Sequence, residues 1–305
     1  MDIKRIRYFV ALAETLHFGR AAARLHLAQP ALSQQIKQLE TELGIVLFDR
    51  DRRNVRLSQA GALFLSEAQS LLAHFERTRR VIERIRRAEL GSISVGYAGT
   101  IAYSGLIDQS VRMLHEQSPD AQIVSHELDL AGQIEALAVG SIDVAFTRLP
   151  VGDPRIALDI TPIWHESVFL AMSNEHPLAA CSHISMASLA AERFVSTDLG
   201  EGLGFFHTQS QICREAGFAP IIVARLKHFA TVLSLVAKRE GVALVPASIR
   251  NLSFEGVVFR PIDVPQRSTV AAVVRSEPLS PMLQRYLAIC RRVGEELDRE
   301  KAVGA

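Results

Sequence analysis

The sequence predicts three parts in succession: a small helical head closed by a β-hairpin, one long helix, and a two-lobed α/β body. Three observations predict it. Near the start, "FGRAAARLHLAQPALSQQIKQLETELG" holds two apolar-periodic segments parted by only a few residues. From Ser58 a spacing of threes and fours runs on with no breaker after Gly61. Beyond Gly91 the pattern changes to short, β-branched strands alternating with helices.

At about 150 residues per domain, 305 residues make roughly two domains. A hydrophobic content of 48% with 22% charged residues excludes a disordered chain and leaves a globular one. No run of about 18 uncharged apolar residues occurs, so no membrane partner is expected. The opening "MDIKRIRYF" has neither the apolar core nor the cleavage site of a signal peptide, which makes the cytoplasm the expected compartment. Cys181, Cys213 and Cys290 share no CxxC spacing; buried or incidental thiols are expected, without metal, cofactor or disulfide framework.

The formal net charge of +1 hides an asymmetry. Residues 1–90 hold 16 Lys and Arg against 10 Asp and Glu, while the rest hold 18 against 23. A basic head on a mildly acidic body fits a polyanion partner for the head. By charge alone that partner is nucleic acid or acidic lipid, or the asymmetry is fortuitous.

The order of elements narrows the choice. "IRYFVALAE" places Ile6, Phe9, Val10 and Ala13 on one helical face, and the small Ala21 and Ala22 with Leu25 let a second helix approach closely. A third helix begins near Pro30, whose missing N–H is harmless in a first turn. It carries Leu32, Ile36, Leu39 and Leu43 as its apolar stripe and stops at Gly44. Gln29, Ser33, Gln34, Lys37 and Gln38 crowd its start and solvent side. Such side chains suit base edges and phosphates, and Gln donates and accepts together on adenine. An ordinary helix pair with a hydrophilic outer face is the competing reading.

"IVLFDRDRRNVRLSQAG" then reads as strand, basic turn and strand, with Arg50, Arg52, Arg53 and Arg56 around the tip. A wing of this kind lies along the DNA backbone or enters the minor groove, where Arg is favoured. Together these elements make a winged helix-turn-helix whose expected partner is double-stranded DNA.

Residues 1 to about 65 resemble the winged helix-turn-helix of the LysR-type transcriptional regulators, through "RYFVALAETLHFGRAAARLHLAQPALSQQIKQLETELGIVLFDR" and "VRLSQAG". The resemblance implies DNA contacts from Gln29, Pro30, Ser33 and Gln34, helped by Arg53. With the residues read above, the candidate DNA-binding set is Gln29, Pro30, Ala31, Ser33, Gln34, Lys37, Arg50, Arg52 and Arg53. Many members carry an arginine where this chain has Gln34. Because Arg reads guanine and Gln prefers adenine, no family base preference transfers at that position.

In the long helix, Phe64, Ala68, Leu71, Phe75, Thr78, Ile82 and Ile85 form the seam expected of a coiled coil with a second copy. A helix packed on its own domain shows the same stripe. Length, flanking charge and the need to span two half-sites favour a homodimer. The resemblance implies that this helix joins two DNA-binding domains and that a homotetramer forms.

The body reads as β-α units: "SISVGYAG", "AQIVSHEL" and "IDVAFTRL" as strands around two helices. A second set follows: "SVFLAMS" as strand, "ISMASLAAERFVST" as helix then strand, a helix at "FFHTQSQICREAG", and then strand, helix and strand to "VALVPASI". "TVAAVVRS" returns to the first sheet ahead of a closing helix. The expected organisation is a DNA-binding domain at 1–58, a linker helix at 59–89 and an effector domain at 90–305. Lobe one covers 91–165 with 266–305, and lobe two covers 166–265. A cleft between such lobes takes ligands at strand carboxyl ends and helix N-termini.

Candidate effector contacts follow from those turns. Gly99 and Thr100 end the first strand, and Ser196 and Thr197 precede the Gly-rich "DLGEGLGFF". Arg148 offers positive charge, Phe205 an aromatic wall, and His228 leads a helix. Capping threonines, a surface arginine, a core phenylalanine and a helix-start histidine are the plainer alternatives. "VGYAGT", "GSIDVAFTRLP" and "GVALVPASI" make the body most similar to regulators of aromatic and chloroaromatic catabolism. That resemblance implies a two-lobe form akin to periplasmic binding proteins and an aromatic acid, or a ring-cleavage diacid such as muconate, as small-molecule effector. Muconate-responsive members use a threonine where "ELDLAGQ" here offers Leu130, so a less polar or larger aromatic is an equal expectation.

No catalytic function is expected. His115, His126, His165, His176, His207 and His228 lie in unrelated elements without metal-ligand spacing. GxSxG and a phosphate-binding loop are absent, and "GEGLG" is too lax for a nucleotide fingerprint. The expected function is a sequence-specific regulator acting on RNA polymerase under effector control. An effector-independent repressor or architectural DNA-binding protein is the alternative.

Overall fold

The computed structural model describes residues 2–51, 54–86, 91–152, 156–197, 203–264 and 267–303. They form two compact units, Met1–Arg87 and Ala88–Ala305.

The first unit contains α1 (Ile3–Thr15), α2 (Phe18–Arg24), α3 (Gln29–Leu43), the antiparallel strands β1 (Phe48–Asp51) and β2 (Asn54–Leu57), and α4 (Gln59–Arg86). Asp2 caps α1 by accepting from the Lys4 N–H, the His17 side chain caps α2, and Gly44 ends α3 at a φ of 69°. Ile6, Phe9, Leu12, Ala21, Leu32, Ile36 and Leu39 are buried together, so the apolar stripes of the three helices meet in one core.

The root of α4 belongs to that core. The Phe9 ring packs 5.4 Å from Phe48 and 5.0 Å from Phe64, and Ala68 is buried beside them. A Cβ on Gly61 would collide with the Leu47 carbonyl oxygen, so glycine permits the close approach. This corrects the expected seam: Phe64 and Ala68 face their own head, because an apolar stripe of threes and fours serves an intramolecular contact as well as a coiled coil. Leu71, Phe75 and Ile82, further along, remain exposed. Thr78 is exposed as well, and the Ile85 side chain lies outside the described residues.

In the second unit, lobe one carries the parallel strands β3 (Ser92–Tyr97), β4 (Gln122–Glu127) and β5 (Val144–Arg148), with α5 (Leu106–Gln117) and α6 (Leu130–Val139) between them. A long strand, β6 (Leu158–Ser173), passes on into lobe two. There follow β7 (Arg193–Thr197), α7 (Gly204–Glu215), β8 (Ile221–Leu226), α8 (Phe229–Ala237), β9 (Ala243–Pro246) and β10 (Val257–Pro261). The return strand β11 (Arg267–Arg275) and α9 (Pro281–Val303) complete lobe one. The first part of β6 pairs with β11 and its last part with β9 and β10, all antiparallel, so β6 and β11 are the two crossing strands.

Each lobe has its own core. Ile93, Val95, Phe146, Trp164, Val270, Tyr286 and Val293 fill one. Leu170, Phe194, Ile212, Val232, Leu244 and Ile249 fill the other.

Three features depart from the sequence pattern. Strand β6 begins well before "SVFLAMS", where Pro162 interrupts the reading; the register of β6 against β11 shifts there, a bulge that tolerates proline. Strand β10 was not anticipated. "ISMASLAAE" forms only a single 3-10 turn, Met186–Leu189, because Ile184 bridges Ile262 and the Met186 N–H donates to the Asp263 carboxylate.

Candidate DNA-reading surface and effector cleft

On α3 the buried Leu32, Ile36 and Leu39 fix which face is free. Gln29, Pro30, Ala31, Gln34, Lys37 and Gln38 stand exposed opposite them, and Ser33 is half-buried. Ala28 at the N-cap makes no side-chain hydrogen bond and no acid lies in the first turn, so the positive end of the helix is uncompensated. That end suits a DNA phosphate while the exposed amides suit base edges.

Two ion-pair or acid contacts brace the helix. Arg5 on α1 donates to Glu42 at 2.8 Å and to Gln35 at 3.2 Å. Glu40, on α3, accepts the Leu47 and Phe48 N–H groups through one carboxylate oxygen, at 2.9 and 3.1 Å. It thereby fixes where the wing starts relative to the reading helix. Sequence reasoning missed Glu40; an acid four residues before the helix-ending Gly44 was its only signal. Arg50 lies in β1 with its side chain outside the described residues, and Arg52 and Arg53 lie outside them altogether.

In the body, two candidates drawn from sequence, Thr100 and Phe205, meet around a third, Arg148. Thr100 lies in the 3-10 turn Gly99–Tyr103 after β3, and its Oγ1 accepts from Arg148 Nε at 3.1 Å. The Phe205 ring, at the start of α7, lies 5.7 Å from the guanidinium. Arg148 is not the open charge expected. Only 3% exposed, it pairs at 2.6 Å with Glu166, which is 0% exposed, and donates to Ser268 Oγ at 3.0 Å. The other Glu166 oxygen accepts the Ser248 N–H, and the Ser248 hydroxyl donates to the Thr100 carbonyl at 3.4 Å.

This network ties the lobes at their crossing. Thr100 and Arg148 come from lobe one, Phe205 and Ser248 from lobe two, and Glu166 and Ser268 from the crossing strands. The Gly204 N–H donates to the Pro150 carbonyl at 2.9 Å and Asn251 Nδ2 to the Tyr103 carbonyl at 2.8 Å, two further links between lobes. Glu166, Ser248 and Ser268 were missed, since a lone acid or serine in a strand run carries no signal of its partner.

The remaining candidates separate. Ser196 and Thr197 are buried at the carboxyl end of β7, where Ser196 Oγ donates to Gln209 Oε1 at 2.8 Å. Residues 198–202 of the Gly-rich segment lie outside the described residues. Leu130 opens α6 and packs with the buried Leu137, Ile142 and Ala145, in an apolar role. His228 is 67% exposed at the N-cap of α8, with Nδ1 3.7 Å from Glu127 Oε1. Glu127 also fills the space in which a Cβ on Gly99 would stand.

Burial pushes the Cys213 thiol up to about 11 and the Cys290 thiol up to about 12, which disfavours their thiolates, while Cys181 is exposed. Among the described residues no group of three or more His, Cys, Asp or Glu is gathered to hold a metal. No described helix is long and apolar enough to cross a membrane.

A winged head with a free polar reading helix, joined in one chain to a bilobed unit with polar groups gathered where its lobes meet, defines a ligand-responsive DNA-binding protein. Residues 3–62 match the family model "Bacterial regulatory helix-turn-helix protein, lysR family", and residues 86–295 match "LysR substrate binding domain". The chain belongs to the LysR family of transcriptional regulators, with a DNA-binding head and an effector-binding domain. It is 33% identical over 297 residues to the HTH-type transcriptional regulator XapR of Escherichia coli K12, covering 94% of this chain and 96% of that one. It is 32% identical over 295 residues to the Hca operon transcriptional activator HcaR of the same organism, covering 95% and 97%. Full-length CbnR in complex with its target DNA superposes with a TM-score of 0.65 at 27% identity, over 96% of this chain and 99% of that one.

Proposed function

We propose that the protein binds its operator as paired heads joined through α4, within a homotetramer, and that an aromatic acid or ring-cleavage product in the body's cleft resets the spacing of those heads. The altered spacing changes DNA bending and the access of RNA polymerase to the promoter. Residues 1–58 read DNA, 59–89 pair, and 90–305 bind effector, with the lobes divided at 165/166 and 265/266. The chain works in the cytoplasm by binding and carries out no catalytic step, in keeping with relatives named as transcriptional regulators.

The observation that carries this reading is the Arg148 network. A ligand that touches Thr100 or Phe205 touches partners of an arginine bonded to a crossing strand, so it favours one lobe arrangement over another. Only such differential binding moves an equilibrium. The exposed Leu71, Phe75 and Ile82 along α4 support pairing with a second copy.

Thermal unfolding of the full chain against benzoates, chlorobenzoates, catechols, muconates and non-aromatic metabolites tests it. A selective rise in Tm that is reduced in Thr100→Ala is expected. Stabilisation by a non-aromatic metabolite alone overturns the effector class.

A further inference from the structure

Two arginines on α1, with one residue between them, hold two different helices. Arg5 donates to Gln35 and Glu42 of α3, whereas Arg7 donates through Nη2 to Glu76 Oε1 on α4. Ile6 between them is buried in the core of the head. The Arg7 guanidinium also lies 5.6 Å from the centroid of the Phe75 ring, and the second Glu76 oxygen stands 3.5 Å from Arg79. Arg7 is thus engaged by α4, while Gln34 and Lys37 on α3 stand exposed.

These contacts lie beyond the apolar root of α4. Among the described residues, Phe64, Leu65, Ala68 and Leu72 are the α4 side chains packed in or against the core of the head, and Glu76 comes one turn after the last of them. From Phe64 to Arg86 the helix runs about 33 Å, so a tilt of about 10° at its root carries the far end about 6 Å, more than the ~3.4 Å between successive base pairs. A hold on α4 past its root therefore controls a distance that DNA senses, the separation at which two heads joined through this helix meet their half-sites.

We infer that Arg7 is a positioning residue that fixes the angle of α4 against the reading head, through Glu76 and Phe75, and so selects the half-site spacing of the operator. Arg5 and Arg7 sit on one helix, so a pull on α4 reaches α3 through α1. The inference rests on the paired-head reading above. An exposed ion pair and an exposed ring contact add little to stability, and the loss is expected in spacing preference rather than in Tm.

The test titrates the full-length protein, without added effector, onto its own operator, with half-sites defined by the footprint on its own promoter. Versions with one to three base pairs added or removed between the half-sites, and DNA with a single half-site, complete the set, all read by fluorescence anisotropy. The parent protein is expected to prefer one separation. Arg7→Met, which keeps an apolar stem beside Phe75, should reduce that preference about fivefold and Glu76→Ala about threefold, with single-half-site Kd held within about twofold. The double variant should lose no more than Arg7→Met alone, because the same contact is removed twice. Unchanged preference in Arg7→Met, or losses that add in the double variant, overturns the clamp and leaves the paired heads standing. An equal loss on the single half-site makes Arg7 a DNA contact or a support of the head, and overturns the clamp as well. If the parent protein binds every separation alike, the paired-head reading falls and the role of Arg7 with it.

Discussion

Gln34 and Glu166 mark the two working regions of the molecule. Gln34 stands exposed on α3, two residues and so about half a turn from each of the buried Leu32 and Ile36 that orient it, whereas Glu166 is fully buried between residues drawn from positions 148 and 248. The head offers its chemistry on the surface of a locally built scaffold. In the body the polar groups are part of the scaffold, so on the proposed reading function and stability are carried by the same atoms.

The sharpest way to break that comparison is Glu166→Ala. Leaving the buried Arg148 charge unpaired should cost about 3–5 kcal/mol in denaturant unfolding of the body, and Arg148→Met with Glu166→Leu should recover most of it. A loss below about 1 kcal/mol means that the pair does not hold the lobes. On the head, Gln34→Ala should lose about 1–3 kcal/mol of binding to the preferred operator and almost nothing on unrelated DNA, read by fluorescence anisotropy. Equal losses on all sequences remove Gln34 from base reading.

A smaller effect is expected where the head depends on an internal bond. Glu40→Ala should weaken operator binding by about 1–2 kcal/mol without touching DNA, with Glu40→Gln restoring most of it because its amide oxygen still accepts the Leu47 and Phe48 N–H groups. A further effect is confined to alkaline pH. The Cys213 thiol rises from 9.0 to about 11 on folding, so the unfolded chain loses its proton first; stability is unaffected at neutral pH and falls between pH 9 and 11. Cys213→Ser should flatten that part of a pH-dependent Tm curve.

The same contrast explains what was legible in the sequence. The head was readable almost residue by residue, because Leu32, Ile36 and Leu39 lie on one helix and their spacing alone sets the face on which Gln34 and Lys37 emerge. In the body the strands and helices were readable from their periodicity, and Thr100, Arg148 and Phe205 stood out as candidates at strand ends and a helix start. Their relation was not. Glu166 looks like an ordinary polar interruption of a strand until the crossing of β6 and β11 brings Arg148 and Ser248 to it. The α4 stripe was visible, but one spacing served two contacts, with Phe64 and Ala68 turned to the head and Leu71, Phe75 and Ile82 left exposed.

The central claim is that occupancy of the body's cleft sets the spacing of the DNA-reading heads. Nuclease footprinting of the full-length protein on its own promoter, with and without a saturating concentration of the acid that raises its Tm, tests this most directly. The account predicts a protected region whose length changes on saturation, together with a change in promoter output. Identical footprints and identical output at saturation would contradict it.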